Sequence, residues 1–268
     1  MAGHEPPPGL DVTTPNVARI YDYFLGGKDN FAADRAAADK LTAMMPQLPA
    51  VARANRAFVR RAVRFAAAGQ GIRQFIDVGA GLPTQGNVHE VARQAAPDAR
   101  VVYVDNDPVV CCHGNALLAG KATGIIEADL RKPEDIINDP LTRALIDFAE
   151  PVTLLLTSVL HFVPDDDDPH GIIARFGEVM APGSCLVISH GTIETGPDDP
   201  RAQLSTEVYS RASAPLALRP FGEVRRLFDG FELVAPGLVW IPQWRPELSG
   251  YVSGATETLR GGVGRKLS

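Results

Sequence analysis

The segment Phe75-Ile76-Asp77-Val78-Gly79-Ala80-Gly81-Leu82-Pro83 is an apolar run that closes in a glycine turn, and downstream Val101-Val102-Tyr103-Val104 ends in Asp105. Short runs of this kind bounded by turn residues read as buried strands. In a doubly wound α/β fold, a tight turn after the first strand and an acid at the tip of the second form the cradle for a nucleoside. A plain strand-to-helix turn would account for the glycine pair alone. The acid at the next strand's tip is what favours a ligand.

The turn's chemistry narrows the nucleoside. A dinucleotide site uses G-x-G-x-x-G, because backbone N–H groups and a helix N-terminus must approach a pyrophosphate closely. Here Thr84 occupies the third glycine slot and Pro83, before it, has no N–H to donate. S-adenosylmethionine carries no phosphate, and Gly79 and Gly81 suffice for the backbone to pass close to it. Asp77 is then placed to receive its amine, directly or through water, and Asp105 to accept both ribose hydroxyls.

From Ile72 onward strands and helices alternate. Strands are expected at Gln74–Val78, Val101–Asp105, Thr123–Ala128, Val152–Ser158 and Cys185–His190, with helices at Asn87–Ala96, Pro108–Ala119, Gly171–Met180 and, irregularly, Pro133–Phe148. Such an order implies a parallel sheet with right-handed crossovers. Helical stretches follow at Pro200–Ala212 and Glu223–Phe228, with strand pieces at Glu232–Val234, Val239–Ile241 and Gly261–Lys266. Before the sheet, three helices are expected, near Thr14–Leu25, Asn30–Met45 and Pro49–Ala68. The third carries a stripe of Arg53, Arg56, Arg60 and Arg64, read for the most part as a solvated face. The order is that of a class I methyltransferase: a Rossmann-like α/β fold with a seven-stranded, mostly parallel sheet, one antiparallel strand near its edge and an N-terminal helical lid. The chain divides into a Pro/Gly-rich, disordered tail at 1–13, a helical cap at 14–70 and the methyltransferase domain at 71–268.

Composition excludes several partners. A formal net charge of -6 argues against a polyanion, since nucleic-acid binding leans on Lys and Arg at the phosphates. No apolar run is long enough to span a bilayer, and the start shows no signal-peptide pattern. The three cysteines, Cys111, Cys112 and Cys185, are odd in number and lack metal spacing, which fits a reduced cytoplasm.

Several blocks resemble a bacterial family of S-adenosylmethionine-dependent methyltransferase-like proteins that was long known only as a domain of unknown function. They are Ala18-Arg19-Ile20-Tyr21-Asp22-Tyr23-Phe24-Leu25-Gly26-Gly27-Lys28-Asp29-Asn30-Phe31, then Gly81–His89, Val104-Asp105-Asn106-Asp107-Pro108, Leu160–Asp166 and Gly261–Lys266. The resemblance implies a class I fold and S-adenosylmethionine as cofactor, and it names no acceptor. Two departures touch the pocket lining: Cys111-Cys112-His113 replaces an aliphatic or alanine-rich helix start, and Thr157-Ser158 replaces a small apolar pair.

The expected cofactor-binding set is Asp77, Gly79, Gly81, Pro83, Asp105, Asn106, Asp129, Leu130, Ser158, Arg19 and Lys28. Asp129 is assigned the adenine amino group and Leu130 the ring face; an N-cap or surface acid would explain Asp129 equally well without the resemblance. The Gly26-Gly27-Lys28-Asp29-Asn30 loop is read as a lid, with Tyr23 near the transfer site and Lys28 or Arg19 meeting the methionine carboxylate. Helix caps alone would explain its glycines and Asn30. His161, just past the fourth strand, is the candidate base, against a structural histidine bonded to backbone. Asp165–Asp168 reads as an acidic loop capping the next helix, with no metal assigned. Tyr209, Phe221, Trp240 and Trp244 could wall an acceptor pocket or simply be core.

After the fourth strand the chain reads Thr157-Ser158-Val159-Leu160, without the Asn/Asp-Pro-Pro-aromatic motif that grips a flipped base. The expectation is therefore a methyltransferase acting on a small-molecule acceptor through oxygen, nitrogen or carbon attack. A non-catalytic S-adenosylmethionine-binding regulator is the alternative. A nicotinamide oxidoreductase is disfavoured by Pro83, Thr84 and the lack of a Tyr-x-x-x-Lys pair.

Overall fold

The computed structural model describes residues 11–83, 86–117, 122–194, 198–246 and 258–267. The expected tail before residue 11, Thr84 and the helix end at Ala119 lie outside them. Three helices lead: α1 (Val17–Leu25), α2 (Ala32–Met44) and α3 (Leu48–Arg64). The sheet units follow as β1 (Gln74–Val78), α4 (Val88–Arg93), β2 (Arg100–Asp105), α5 (Pro108–Leu117) and β3 (Thr123–Glu127). Next come α6 (Pro133–Ile137), α7 (Pro140–Leu145), β4 (Thr153–Thr157), α8 (Pro169–Val179) and β5 (Cys185–Gly191). The C-terminal part is α9 (Pro200–Tyr209), α10 (Phe221–Arg226), β6 (Phe231–Leu233), β7 (Val239–Trp240) and β8 (Leu259–Lys266).

The sheet runs β3-β2-β1-β4-β5-β8-β6, with β7 also on β8. Strands β1 to β5 are parallel, and β8 is antiparallel to β5, β6 and β7. The sheet has eight strands where a seven-stranded one is expected, because both expected edge pieces, Glu232–Val234 and Val239–Ile241, pair with β8. Pro236 has no N–H for the ladder and Gly237 sits at φ +89°, so the chain pairs with Leu233↔Gly264, leaves, and rejoins at Val239↔Gly261.

Period-two alternation sorts the strand side chains to two cores. Phe75, Val101, Tyr103, Leu155 and Val187 pack under α3 and α4, whereas Ile76, Val102, Val104, Leu154 and Ile188 pack against α6 and α8. Asp77 shares the face of Phe75, so this acid points to the α3 side. Helix α3 buries Val51, Ala52, Asn55, Phe58, Val59, Ala62 and Val63, a helical stripe with one polar member. It is pinned to the sheet edge by Arg61, whose Nε donates to Trp244 O at 2.8 Å and whose Nη2 donates to Ile241 O at 2.7 Å. Trp244 is fully buried and meets Phe58 edge to face at 5.6 Å. A separate small core, with Ile20, Phe24, Ala38 and Leu41, joins α1 to α2 and takes Val208 from α9.

The glycines of β8 are required by this packing. A Cβ on Gly261 would lie 2.7 Å from Ile241 Cγ2 and 3.0 Å from the Phe58 ring. Gly261→Ala is therefore expected to cost about 1–3 kcal/mol by overpacking. Gly222→Ala, where a Cβ meets nothing within 4 Å, should be neutral or stabilise by about 0.5 kcal/mol. Urea unfolding of the two variants side by side checks the contrast.

Candidate functional site

The carboxyl ends of β1, β2 and β4 open on a cavity of about 310 Å³. After β1 the chain crosses the tip of β2, with Gly79 N and Ala80 N both donating to Val104 O, at 2.8 and 3.1 Å. Gly79 holds φ +71°, and a Cβ there would lie 2.5 Å from Val159 Cγ2, so only glycine fits. Gly81, at φ +65°, donates its N–H to Asp105 Oδ2 at 2.9 Å, while Asp105 Oδ1 accepts from Asp107 N at 3.0 Å. The local turn thus aims the strand-end acid into the cavity. Burial pushes the Asp105 carboxyl up to about 6 against these hydrogen bonds.

Asp77 lines the same cavity and is also pushed up to about 6, chiefly by burial, with Arg56 opposing and Asp105 adding to the shift. Arg56, on α3, lines the cavity too, and its Nε is buried without a hydrogen-bond partner among the described residues. It belongs to the stripe read as solvated. Arg53 and Arg64 are exposed as expected, but Arg56 faces the site. Beside it, buried Asn55 accepts from Ser189 Oγ at 2.7 Å and donates to the Tyr21 hydroxyl at 3.1 Å, which donates to Ala52 O at 3.0 Å. Ser158, at φ +55°, brings its hydroxyl 3.4 Å from that of Ser189. A polar chain therefore runs from the sheet into the helical roof.

The roof is built differently from the expected lid. Asn16, Ala18 and Tyr21 of the α1 segment and Ala52, Asn55 and Arg56 of α3 cover the cavity. The Gly26–Asn30 loop does not line it. Gly27 is a glycine because a Cβ there would overlap the Asp22 carboxylate, which also accepts from Asn30 Nδ2 at 2.8 Å. Lys28 is exposed outside the cavity. Tyr23 turns the other way and donates to Asp39 at 3.0 Å, so Tyr21 is the roof tyrosine. Arg19 is not free for a ligand carboxylate either. It is buried 3.2 Å from Asp34 and 4.0 Å from Asp107, with the Phe31 ring against its guanidinium. Pro83 is also outside the lining.

Asn106, Asp129, Leu130 and Ser158 line the cavity. The Asp129 carboxylate is engaged by Arg131, whose hydrogen bond holds it below its ordinary range, so Leu130 and Ala128 are the free surface there. The four acids after β4 diverge: Asp165 pairs with Arg219, Asp166 is exposed, Asp167 faces Arg131 at 3.6 Å, and Asp168 caps α8 through Gly171 N at 2.9 Å.

His161 stands at the inner end of the cavity. Its Nδ1 accepts the Gly191 N–H at 3.1 Å, which leaves the ring proton on Nε2. Burial, then His190 and Arg219, push it well below its usual range. The Nδ1 lone pair is engaged by a backbone donor, the contact expected of a structural histidine, and the lowered titration keeps the ring neutral. Arg219 holds the segment that carries it, donating to Leu160 O at 3.1 Å, Val163 O at 2.8 Å and His190 Nε2 at 2.9 Å.

A second cavity, also about 310 Å³, adjoins the first. His161, Phe162, Tyr209, Leu48 and Leu259 border both. Of the expected aromatic wall, Tyr209 and Trp240 line this second cavity, Trp244 is core, and Phe221 is partly exposed with Arg260 over its ring.

The profile of the S-adenosyl methyltransferase family matches residues 3–267. The chain belongs to that family. A proposed methyltransferase from Thermobifida fusca is 43% identical, with a TM-score of 0.91 over 98% of this chain and 99% of that one. A DUF574 family protein from Streptomyces avermitilis is 40% identical, with a TM-score of 0.90 over 96% and 99%. An O-methyltransferase family protein from Burkholderia thailandensis, 15% identical, shares the fold at a TM-score of 0.51 over 82% of this chain and 60% of that chain. No curated protein matches the chain.

The site of this S-adenosyl methyltransferase suits its cofactor. Two buried carboxylates of raised pKa, Asp77 and Asp105, and one guanidinium, Arg56, face a common cavity. Their charges answer a ligand with an amine, a sulfonium and a carboxylate. Among the described residues no helix is long and apolar enough to cross a membrane.

The raised carboxyls have two consequences. An acid whose native pKa is raised destabilises the free protein as pH climbs from the unfolded carboxylate range through about 6. Asp77→Asn should then stabilise the cofactor-free protein at pH 7.5 by on the order of 1–3 kcal/mol while weakening cofactor binding. In the parent, S-adenosylhomocysteine affinity should fall as pH drops below about 6, with proton release on binding. Thermal melts and calorimetry in buffers of different ionisation enthalpy check both.

Proposed function

We propose that this enzyme methylates a small organic acceptor that occupies the second cavity and reaches the transfer centre at the shared wall. The observation that carries the reading is the direct adjoining of the two cavities across His161, Phe162 and Tyr209. Two adjoining cavities of this size suit a small molecule rather than a polymer, and a net charge of -6 argues against nucleic acid.

In this reading Asp105 accepts the ribose hydroxyls, Asp77 meets the amine and Arg56 takes the carboxylate, with Leu130 against the adenine. When bound, S-adenosylmethionine supplies a methyl group on a sulfonium that an acceptor can displace. The chain's own work is to orient and to exclude water. Helices α1 and α3 roof the first chamber, and the Ser158–Ser189–Asn55–Tyr21 hydrogen bonds hold roof and sheet in one register. The helices of 14–70 form the cap and residues 71–268 the catalytic domain.

Ala202, on α9, lines the second cavity only. Ala202→Trp should lower turnover of any accepted small molecule about tenfold or more, with S-adenosylhomocysteine affinity within about twofold of the parent. The check is a coupled assay of S-adenosylhomocysteine release over a panel of small phenols, amines and thiols, set beside calorimetry. Turnover of DNA, RNA or protein with none of the panel would contradict the reading.

A further inference from the structure

Among the described residues, the wall between the two cavities offers hydrogen-bond donors and no free base. Asp77 and Asp105 lie in the first cavity. The acids bordering the second are engaged, Asp199 with Arg201 at 2.6 Å and Glu194 with Arg260 at 3.2 Å. His161 cannot take a proton at Nδ1 without turning two donors on each other, because Gly191 N–H already occupies that lone pair. What it presents is Nε2–H. Tyr209 borders both cavities, and burial pushes its ionisation upward, so its hydroxyl too is a neutral donor. Behind His161 the guanidinium of Arg219 is buried, while its counterion Asp165 is turned to solvent at 86% exposure.

A neutral hydroxyl delivered to this wall finds, among the described residues, no free group to remove its proton. An oxygen that is already an anion finds two donors and a nearby buried cation, the arrangement that stabilises an oxyanion. The rest of the lining is mainly apolar, from Leu41, Met45, Phe162, Leu216, Leu218 and Trp240, and its charged members Glu194, Asp199 and Arg201 are held in ion pairs, which favours a flat hydrocarbon body.

We propose that the second cavity takes a flat, apolar molecule bearing an acidic hydroxyl, a phenol or enol that ionises near neutral pH, and that His161 holds its oxygen anion as a hydrogen-bond donor. This rests on the reading of that cavity as the acceptor site. The acceptor oxygen's lone pair forms the O–CH3 bond as the C–S bond breaks and its electron pair returns to sulfur. Anion and sulfonium are neutralised together and no proton moves.

The test uses 4-nitrophenol, whose ionised form absorbs visible light, titrated with pH in the presence of the enzyme and saturating S-adenosylhomocysteine. The expected result is saturable binding with the bound probe's ionisation moved to lower pH, equivalent to about tenfold or more preference for phenolate over phenol. His161→Gln, which keeps a donor at the Nε2 position, should retain most of the shift; His161→Ala should lose it, and Tyr209→Phe should reduce it. Absence of probe binding, binding of the neutral form, or an unchanged shift in His161→Ala would overturn the proposal. The wider reading is judged separately on the same samples. S-adenosylhomocysteine heat reports the cradle, and undiminished probe binding in Ala202→Trp would remove the second cavity as the acceptor site.

Discussion

The Arg19 guanidinium is buried between Asp34 and Asp107, and the helical roof over the cavity depends on that arrangement. Asp34, without solvent exposure, accepts Asn16 N–H and Phe31 N–H, both at 2.8 Å, and so caps the entry to α1 and the start of α2 while pairing with Arg19. Asp107 caps α5 through Val109 N at 2.8 Å and lies immediately after the β2 tip that carries Asp105. One cation therefore stands between the helical roof and the strand that ends in Asp105. Removing Arg19 would leave two buried carboxylates without their cation, a loss on the order of 3–5 kcal/mol. This explains why a chain of otherwise ordinary composition places Arg19, Asp34 and Asp107, remote in sequence, at one buried point.

The same logic, inverted, runs through the cradle. Asp77 and Asp105 are buried with too little compensation, and their carboxyls rise to about 6. Arg56 is held nearby with its Nε unsatisfied among the described residues. Each of these is a cost to the free protein and a preorganised partner for a charged ligand. By contrast Asp129, Asp165 and Asp199 are satisfied internally by Arg131, Arg219 and Arg201. What sets Asp77 and Asp105 apart from the other buried acids is that both also line the cavity.

Much of this was legible locally. Glycines at positive φ beside a strand-end acid are turn chemistry, and Gly79, Gly81 and Asp105 sit as their spacing implies. The five parallel strands follow from short apolar runs, with bounds shifted by a residue or two. What failed was long-range. Helical spacing groups Tyr21 with Val17, Ile20 and Phe24 and separates it from Tyr23, yet nothing local says that this face roofs a cavity. Arg56 looks like its neighbours in the arginine stripe until β1 delivers Asp77 beneath it. Buried Asn55, one polar residue on the apolar stripe of α3, was the available signal for a functional helix. The state of His161 depends on Gly191 N–H arriving from β5, a contact between residues far apart in sequence, so its residue type alone suggested a base. Lys28 drew attention as an unexplained charge in a glycine loop, but Gly27 is there to admit the Asp22 carboxylate.

The central claim is that two chambers, one for the cofactor and one for the acceptor, meet at the wall of His161, Phe162 and Tyr209. A crystal structure of the complex with S-adenosylhomocysteine tests it most directly. The account predicts the ribose on Asp105, the amine toward Asp77, the carboxylate toward Arg56 and the sulfur facing the shared wall, with the second chamber left open. A sulfur turned away from that wall, or a ligand that fills both chambers, would contradict it.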